Sequence, residues 1–586
     1  SYKCNPTNSI TYRIETMKFL IFSLLVSLCA AGSIGKMVHM EKALEGRDDF
    51  LKAGYSEDTT EHDVVFAVKQ KNLDQLEKLF FELSNPKDKS YGNYLSRQQV
   101  GNLTSNVAST EYVFKFLTQH GVQVVKSTPY GEYITARAQI SEWEKLFATT
   151  FYSFRHVAGG YSSAKRVDRA LHYSLPTELS EHVSAVFNTV QLPPRASASR
   201  PLKRKDTTKS APGKTGSITP ALLNSYYDIP SNTGSQKASQ AVFESLGQYY
   251  SPSDLSTFQT NYDLPQEEVA EDIGGYESDS QCVANANNCI EANLDVQYMM
   301  AVAQNTPTTY WYEDAVDSFL AWIQEVAASD DPPLVNSISY GAIENELPAA
   351  VGNAFNTEAM KLGVQGVTIL VSSGDDGVAN FQARTSPSSC GYNPSFPASS
   401  PYVTAVGATQ GPESGTTEIA CTSDQGGVIT TGGGFSTLFD APAYQTDAVS
   451  TYFSSLSRTE QPVSGYVATG RGYPDVAMAG LNYEVVVGGN TYEVSGTSAS
   501  APVVAGMVSL VNSQRLAAGK SPLGFLNTAI YQLGTTFAND VTSGENNCCA
   551  SKVCCDEGFF ATTGWDPLTG FGSVNYAKFA AAFGKL

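Results

Sequence analysis

Histidine is missing from most of this chain. All six (His39, His62, His120, His156, His172 and His182) lie before residue 190, so the long remainder carries no imidazole. Acid–base chemistry there must run on other groups, which excludes the usual histidine base. Charge is sparse as well: Asp, Glu, Lys and Arg make up 16% of the residues, and glycines and aromatics are plentiful. That composition excludes a disordered chain and suits a globular one. Beyond the N-terminal region no run is long and apolar enough to span a bilayer. At 586 residues the chain exceeds one typical domain and can bury a sizeable core.

The charge that is present is divided unevenly. From Gly216 onward 37 Asp and Glu stand against 10 Lys and Arg, a net of −27, whereas the preceding part is +7. The basic front and acidic back should attract each other at neutral pH, and protonation of carboxylates should weaken that attraction. An acidic back part also argues against nucleic acid as a partner.

The chain divides into five stretches. Residues 1–16 precede Met17 and read as a leader. Residues 17–31 read as a secretory signal: Lys18 gives the positive start, Phe19 to Leu28 the apolar stretch, and Cys29-Ala30-Ala31-Gly32 the small residues for cleavage. No membrane contact is expected once it is removed. Residues 32–192 alternate helical and strand-like patterns, with helix-period apolar residues over Leu73 to Leu83 and a strand pattern from Tyr133 to Ala138. Residues 193–215 form a basic linker containing Lys203-Arg204-Lys205, read as a solvated spacer or, more sharply, a processing site. Residues 216–586 alternate strand and helix. Leu334 to Tyr340 and Val367 to Val371 are β-rich runs, and Glu346 to Leu362 between them reads as a helix. This predicts a parallel α/β sheet with its site at the C-terminal strand ends.

Once Cys4 and Cys29 are set aside, eight cysteines remain, all in the back part. An even number in a secreted chain points to disulfides, and Cys282 with Cys289 could close a local loop. The vicinal pairs Cys548-Cys549 and Cys554-Cys555 could also hold a metal cluster, but no histidine is nearby.

Three places could carry chemistry. Ser495-Gly496-Thr497-Ser498-Ala499-Ser500-Ala501-Pro502 runs into an apolar helix, with Pro502 suited to its first turn. Ser498 would then sit at a helix N-terminus that favours developing negative charge. Read alone, the stretch is equally a small-residue turn before a buried helix. Glu291 and Asp295, four apart, share one face of a helix; such pairs are mostly solvated, but here the neighbours Ile290, Leu294, Tyr298 and Met299 are apolar. If buried, the two acids would share a proton. The turn Ser373-Gly374-Asp375-Asp376-Gly377 follows a β-run and could bind metal, accept hydrogen bonds or cap a helix.

In combination these motifs resemble the sedolisin, or serine-carboxyl peptidase, family: Glu-x-x-x-Asp at Glu291 and Asp295, Ser-Gly-Asp-x-Gly at Ser373 to Gly377, and Gly-Thr-Ser at Gly496 to Ser498, in the family's order. Tyr91-Gly92-Asn93-Tyr94-Leu95 and Tyr173-Ser174-Leu175-Pro176 resemble its propeptide. The resemblance implies a subtilisin-like α/β catalytic domain behind a ferredoxin-like α+β inhibitory prodomain. It implies Ser498 as nucleophile, Glu291 as base, Asp295 as its support and a protonated Asp375 at the oxyanion. Polypeptides or oligopeptides would be the substrates, and the chain's own prodomain the inhibitor. It further implies one structural Ca2+ on the carboxylates of Asp540 and Asp566 and carbonyls of Val541, Thr562 and Gly564, an oxygen-only set that suits a hard cation. Thr562 stands where the family often has glycine. Internal cleavage and removal of tripeptides both stay open, as do an extracellular and a lysosomal destination. The sole acceptor of N-linked sugar noted, Asn102-Leu103-Thr104, lies in the prodomain. The rival reading is an inactive secreted calcium-binding homologue.

Overall fold

The computed structural model describes residues 36–586 apart from 45–46, 158–165, 194, 198–199, 205–215, 316 and 385–386. The expected leader (1–16), signal (17–31) and the linker from 205 to 215 lie outside the described residues.

The front domain is built on a four-stranded antiparallel sheet in the order Gln123–Ser127, Tyr133–Gln139, Glu61–Val68, Val183–Phe187. Numbered along the chain that order is 2-3-1-4, with helices crossing after the first and third strands, the arrangement of a ferredoxin-like fold. Ile140–Phe147 shows why its sequence is helical. Ile140, Trp143, Leu146 and Phe147 fall on one stripe and are buried, with Trp143 and Phe147 against Phe66 of the sheet. Leu73–Ser84 buries Leu76, Phe80 and Leu83 differently, against Met360, Val364 and Phe525 of the back domain. That helix is therefore part of the contact between the two domains.

The back domain carries a parallel sheet. Its strands run in the order Glu271–Ile273, Thr308–Tyr312, Gln240–Glu244, Val335–Ile338, Thr368–Ser372, Thr404–Gln410, Val476–Ala479 and Ser573–Val574. Strands covered on both faces read as continuous apolar runs, and alternate residues here go to opposite layers. Val242, Val335 and Leu370 pack under the helices Ile290–Val302 and Thr497–Ala517, while Phe243, Ile338, Ile369 and Val371 face Ser318–Ala328 and Ala349–Gly363. Gly506 lets the first two helices close: a Cβ there would crowd Val302 and the Met299 carbonyl. The helix expected from Glu346 begins instead at Ala349. Glu344–Glu346 form a 3-10 turn, and Pro348, which lacks an N–H, takes the N-cap.

Two expectations need correcting. The described part of the linker is not simply a solvated spacer. The backbone of Ala196–Ser197 pairs antiparallel with Gly341 and Ala342, and Arg200–Arg204 pairs along Asn490–Ser495. An open strand edge carries unmet N–H and C=O groups, and the linker meets them. Nor do all eight cysteines pair. The disulfides are Cys282–Cys289, Cys390–Cys555 and Cys548–Cys554, leaving Cys421 and Cys549 as buried thiols. Cys390 and Cys555 lie beside Glu557 at metal-ligand spacing, but their sulfurs are joined to each other. Disulfides fit the secretory pathway. Among the described residues no helix is long and apolar enough to cross a membrane.

Candidate active site

Ser498 is the second residue of the helix Thr497–Ala517 and is 3% exposed. Pro502 lies one turn further in than the first-turn position expected for it. A proline inside a helix cannot donate to the carbonyl four residues back, which here is that of Ser498. The Ser339 hydroxyl reaches that oxygen instead, at 3.3 Å. Ser498 Oγ returns the contact by donating to the Ser339 carbonyl at 3.0 Å. Nucleophile and strand end are thus doubly tied.

Ser339 leads to the acids. Glu291 and Asp295 project from the helix Ile290–Val302, which is buried along its whole length, so they are not the solvated pair that most such spacings make. Burial, then the charges of Glu244 and Glu291, push the Asp295 carboxyl far up, while a hydrogen bond with Ser339 opposes them. Glu244 is raised in the same way by burial and by Glu291, against the pull of a 2.6 Å bond from the Tyr340 hydroxyl. Glu244 was not among the residues read from sequence. Its signal was there: a lone acid closing the apolar strand Gln240–Glu244, at the carboxyl edge where a parallel sheet puts its site. Three carboxylates in a dry core cannot all stay ionised, so they hold protons between them.

Asp375 approaches from the other side. The strand Thr368–Ser372 ends just before it, and its Oδ1 accepts the Thr497 N–H at 2.8 Å and the Thr497 hydroxyl at 3.0 Å. Desolvation outweighs those bonds and pushes its carboxyl up to about 6. Ser339, Gly341, Gly374, Asp375, Thr497 and Ser498 line one cleft. Gly341 is also where the linker strand pairs.

The residues expected to hold calcium lie together as well. The Gly564 N–H donates to Asp540 Oδ2 and the Thr562 N–H to Asp566 Oδ2, both at 3.0 Å. Asp540 Oδ1 is buried with no hydrogen-bond partner, as an oxygen meant for a cation would be. The Val541 carbonyl lies alongside, 3.5 Å from the Thr569 hydroxyl. An all-oxygen set with an orphaned carboxylate oxygen fits a hard divalent ion.

Residues 49–192 match the family model described as "Pro-kumamolisin, activation domain", and residues 273–523 match the "Subtilase family". Fold and site together define a subtilase-type peptidase carrying its own activation domain. Tripeptidyl-peptidase 1 of Macaca fascicularis is 34% identical over 545 residues, covering 90% of this chain and 92% of that protein. The Homo sapiens protein of the same name matches at 34% over 544 residues, with the same coverage. The structure of Pseudomonas sedolisin, a serine-carboxyl proteinase, superposes with a TM-score of 0.50 at 25% identity, covering 63% of this chain and 98% of that one. The chain belongs to the sedolisin family of serine-carboxyl peptidases.

Proposed function

We propose that this peptidase cuts through an acyl-enzyme on Ser498, with carboxylates doing the work of the missing histidine. Glu291 takes the Ser498 proton as the hydroxyl attacks the peptide carbonyl, and Asp295, together with Glu244, keeps that proton within the buried cluster. Asp375 carries its own proton and donates to the oxyanion beside the Ser498 N–H. The observation that carries this reading is a fully buried acid cluster joined to Ser498 through Ser339, which bonds both Asp295 and Ser498, in a domain without imidazole.

Its pH dependence follows from Asp375. An ionised Asp375 would repel the oxyanion, so turnover should fall as pH rises through about 6, the value of its raised carboxyl. The sign for stability is the same: the raised group disfavours the fold above its own titration and not below the usual 3.8.

Residues 32–192 act as the inhibitory prodomain, 193–215 as the linker with the processing site, and 216–586 as the catalytic domain. The linker strand on Gly341 and Ala342 supports inhibition, since it occupies backbone beside the cleft of Ser498. Ca2+ would be held by Asp540, Asp566 and the carbonyls of Val541, Thr562 and Gly564, bracing the loop that carries Trp565. The shared name of the relatives favours removal of tripeptides over internal cleavage, and the disulfides suit a secretory destination, extracellular or lysosomal. Ser498→Ala assayed on a fluorogenic peptide at pH 4, with product masses read from the unmodified enzyme, tests both parts. Retained turnover would end the serine mechanism and would equally remove the inactive-homologue alternative; internal fragments would end the tripeptide reading.

A further inference from the structure

The turn that presents Asp375 is gripped from behind. Asp376 and Arg384 are both buried and form a two-pronged pair, Arg384 Nε to Asp376 Oδ1 and Nη2 to Oδ2, each at 2.6 Å. The same Oδ1 accepts the Ala550 N–H at 3.0 Å, and the Ser551 hydroxyl donates to the Arg384 carbonyl at 2.9 Å. Ala550 and Ser551 belong to a loop closed by Cys548–Cys554 and moored by Cys390–Cys555. Gly377, at φ 56°, passes so close to that loop that a Cβ would overlap the Asn546 carbonyl, which accepts the Val378 N–H at 3.0 Å. On the opposite side the Thr430 N–H donates to the Asp375 carbonyl at 3.0 Å and the Gly432 N–H to Gly374 at 2.7 Å. Among the described residues, only Thr497 donates to the carboxyl, on one oxygen.

We propose that Asp376 and Arg384 are positioning residues for the peptidase reaction: paired and buried, they pin the Asp375 turn to the disulfide loop and balance two opposite charges beside its carboxyl. This rests on the reading of Asp375 as the proton-bearing oxyanion acid. Position x of Ser-Gly-Asp-x-Gly is open in the motif, and here it holds an acid with a cation of its own. The groups facing Asp375 are Asp376, which pushes its carboxyl up, Arg384, which pulls it down, and Cys421, whose thiol burial keeps neutral. A bidentate carboxylate–guanidinium contact fixes direction as well as distance, which a backbone turn alone does not.

The test uses the full chain, activated in acid, with kcat and KM measured across pH and Tm alongside. Asp376→Asn leaves the Arg384 cation alone and should move the alkaline limb down by about one pH unit. Arg384→Gln leaves the Asp376 charge and should move it up, also by about one unit. The double variant should return the limb to its wild-type place, and KM should stay constant throughout. Limbs that stay put while Tm falls, or that shift the same way in both single variants, overturn the proposal. Should the single variants fail to fold, Arg384→Lys keeps the charge but loses the fork; it should lower kcat about tenfold with the limb unmoved, and an unchanged kcat overturns the positioning role. Asp375→Ala, which removes the donor, is the control: if it retains turnover, the oxyanion reading falls, whatever the pair does.

Discussion

Two buried carboxylate clusters in this molecule behave in opposite ways. At the domain contact, Glu132 of the front domain and Glu358 of the back domain both reach Lys361 at 3.1 Å, and all three are buried. Burial pushes Glu132 up, but Lys361 and a bond from Thr128 outweigh it and hold the carboxyl below its usual range. Glu358 stays raised, since burial and Glu132 overcome the same lysine. In the active site, the groups acting on Glu244 and Asp295 are other carboxylates and hydroxyls, and both are driven upward. One lysine thus separates a charged clasp from a store of protons. Acid protonates the first and leaves the second in its working form.

The largest expected effect falls on the cluster without a cation. Glu291→Gln should lower kcat by about 10³-fold, the weight of a general base, at unchanged KM. Glu132→Gln should leave kcat of the matured enzyme alone, and if it does not, the two clusters are not separate devices.

Lys361→Met comes next. It turns the clasp into a second acid-only cluster and should destabilise the full chain by about 3–5 kcal/mol in urea unfolding at pH 7. The deficit should shrink at pH 4, where the carboxylates can take protons; an equal deficit at both would break the contrast. Glu132→Gln should then cost about 2 kcal/mol of prodomain binding at pH 7, the range for a charged hydrogen bond. Glu132 is depressed in the assembled chain, so its contribution is complete above the usual 4.5 and is lost as pH falls through its own lower value. The variant should therefore release its prodomain with a flatter dependence on acid, read by the rate of processing against pH. Smallest is Tyr340→Phe, which removes a bond that lowers Glu244. It should shift the pH profile of kcat/KM by less than about one unit while most activity survives.

Much of this was legible in sequence because it is local. The runs around Leu334 and Val367 became strands, the stripe from Leu73 became a helix, and the four-residue spacing of Glu291 and Asp295 put both acids into one buried cluster. What escaped was set by contacts between distant segments. Glu244 matters because its strand lies beside Val335–Ile338, some ninety residues on. Arg384 acquires its role only when Asp376 turns toward it and the loop near Ala550 closes over both. Pro502 was misplaced by one turn because helix starts are fixed by where the preceding strand delivers the chain. Cys421 and Cys549 were counted as pairable because sequence reports number and not distance.

The linker strand has a consequence for how the precursor meets its surroundings. A segment tethered at both ends presents itself to Gly341 and Ala342 at an effective concentration of about millimolar. A free peptide arriving at micromolar levels is outnumbered roughly a thousandfold at that edge, however well its side chains fit. Silence before maturation thus needs no tight grip, only an uncut thread. One scission, followed by release of the front domain, converts a local crowd of one into a dilute competitor.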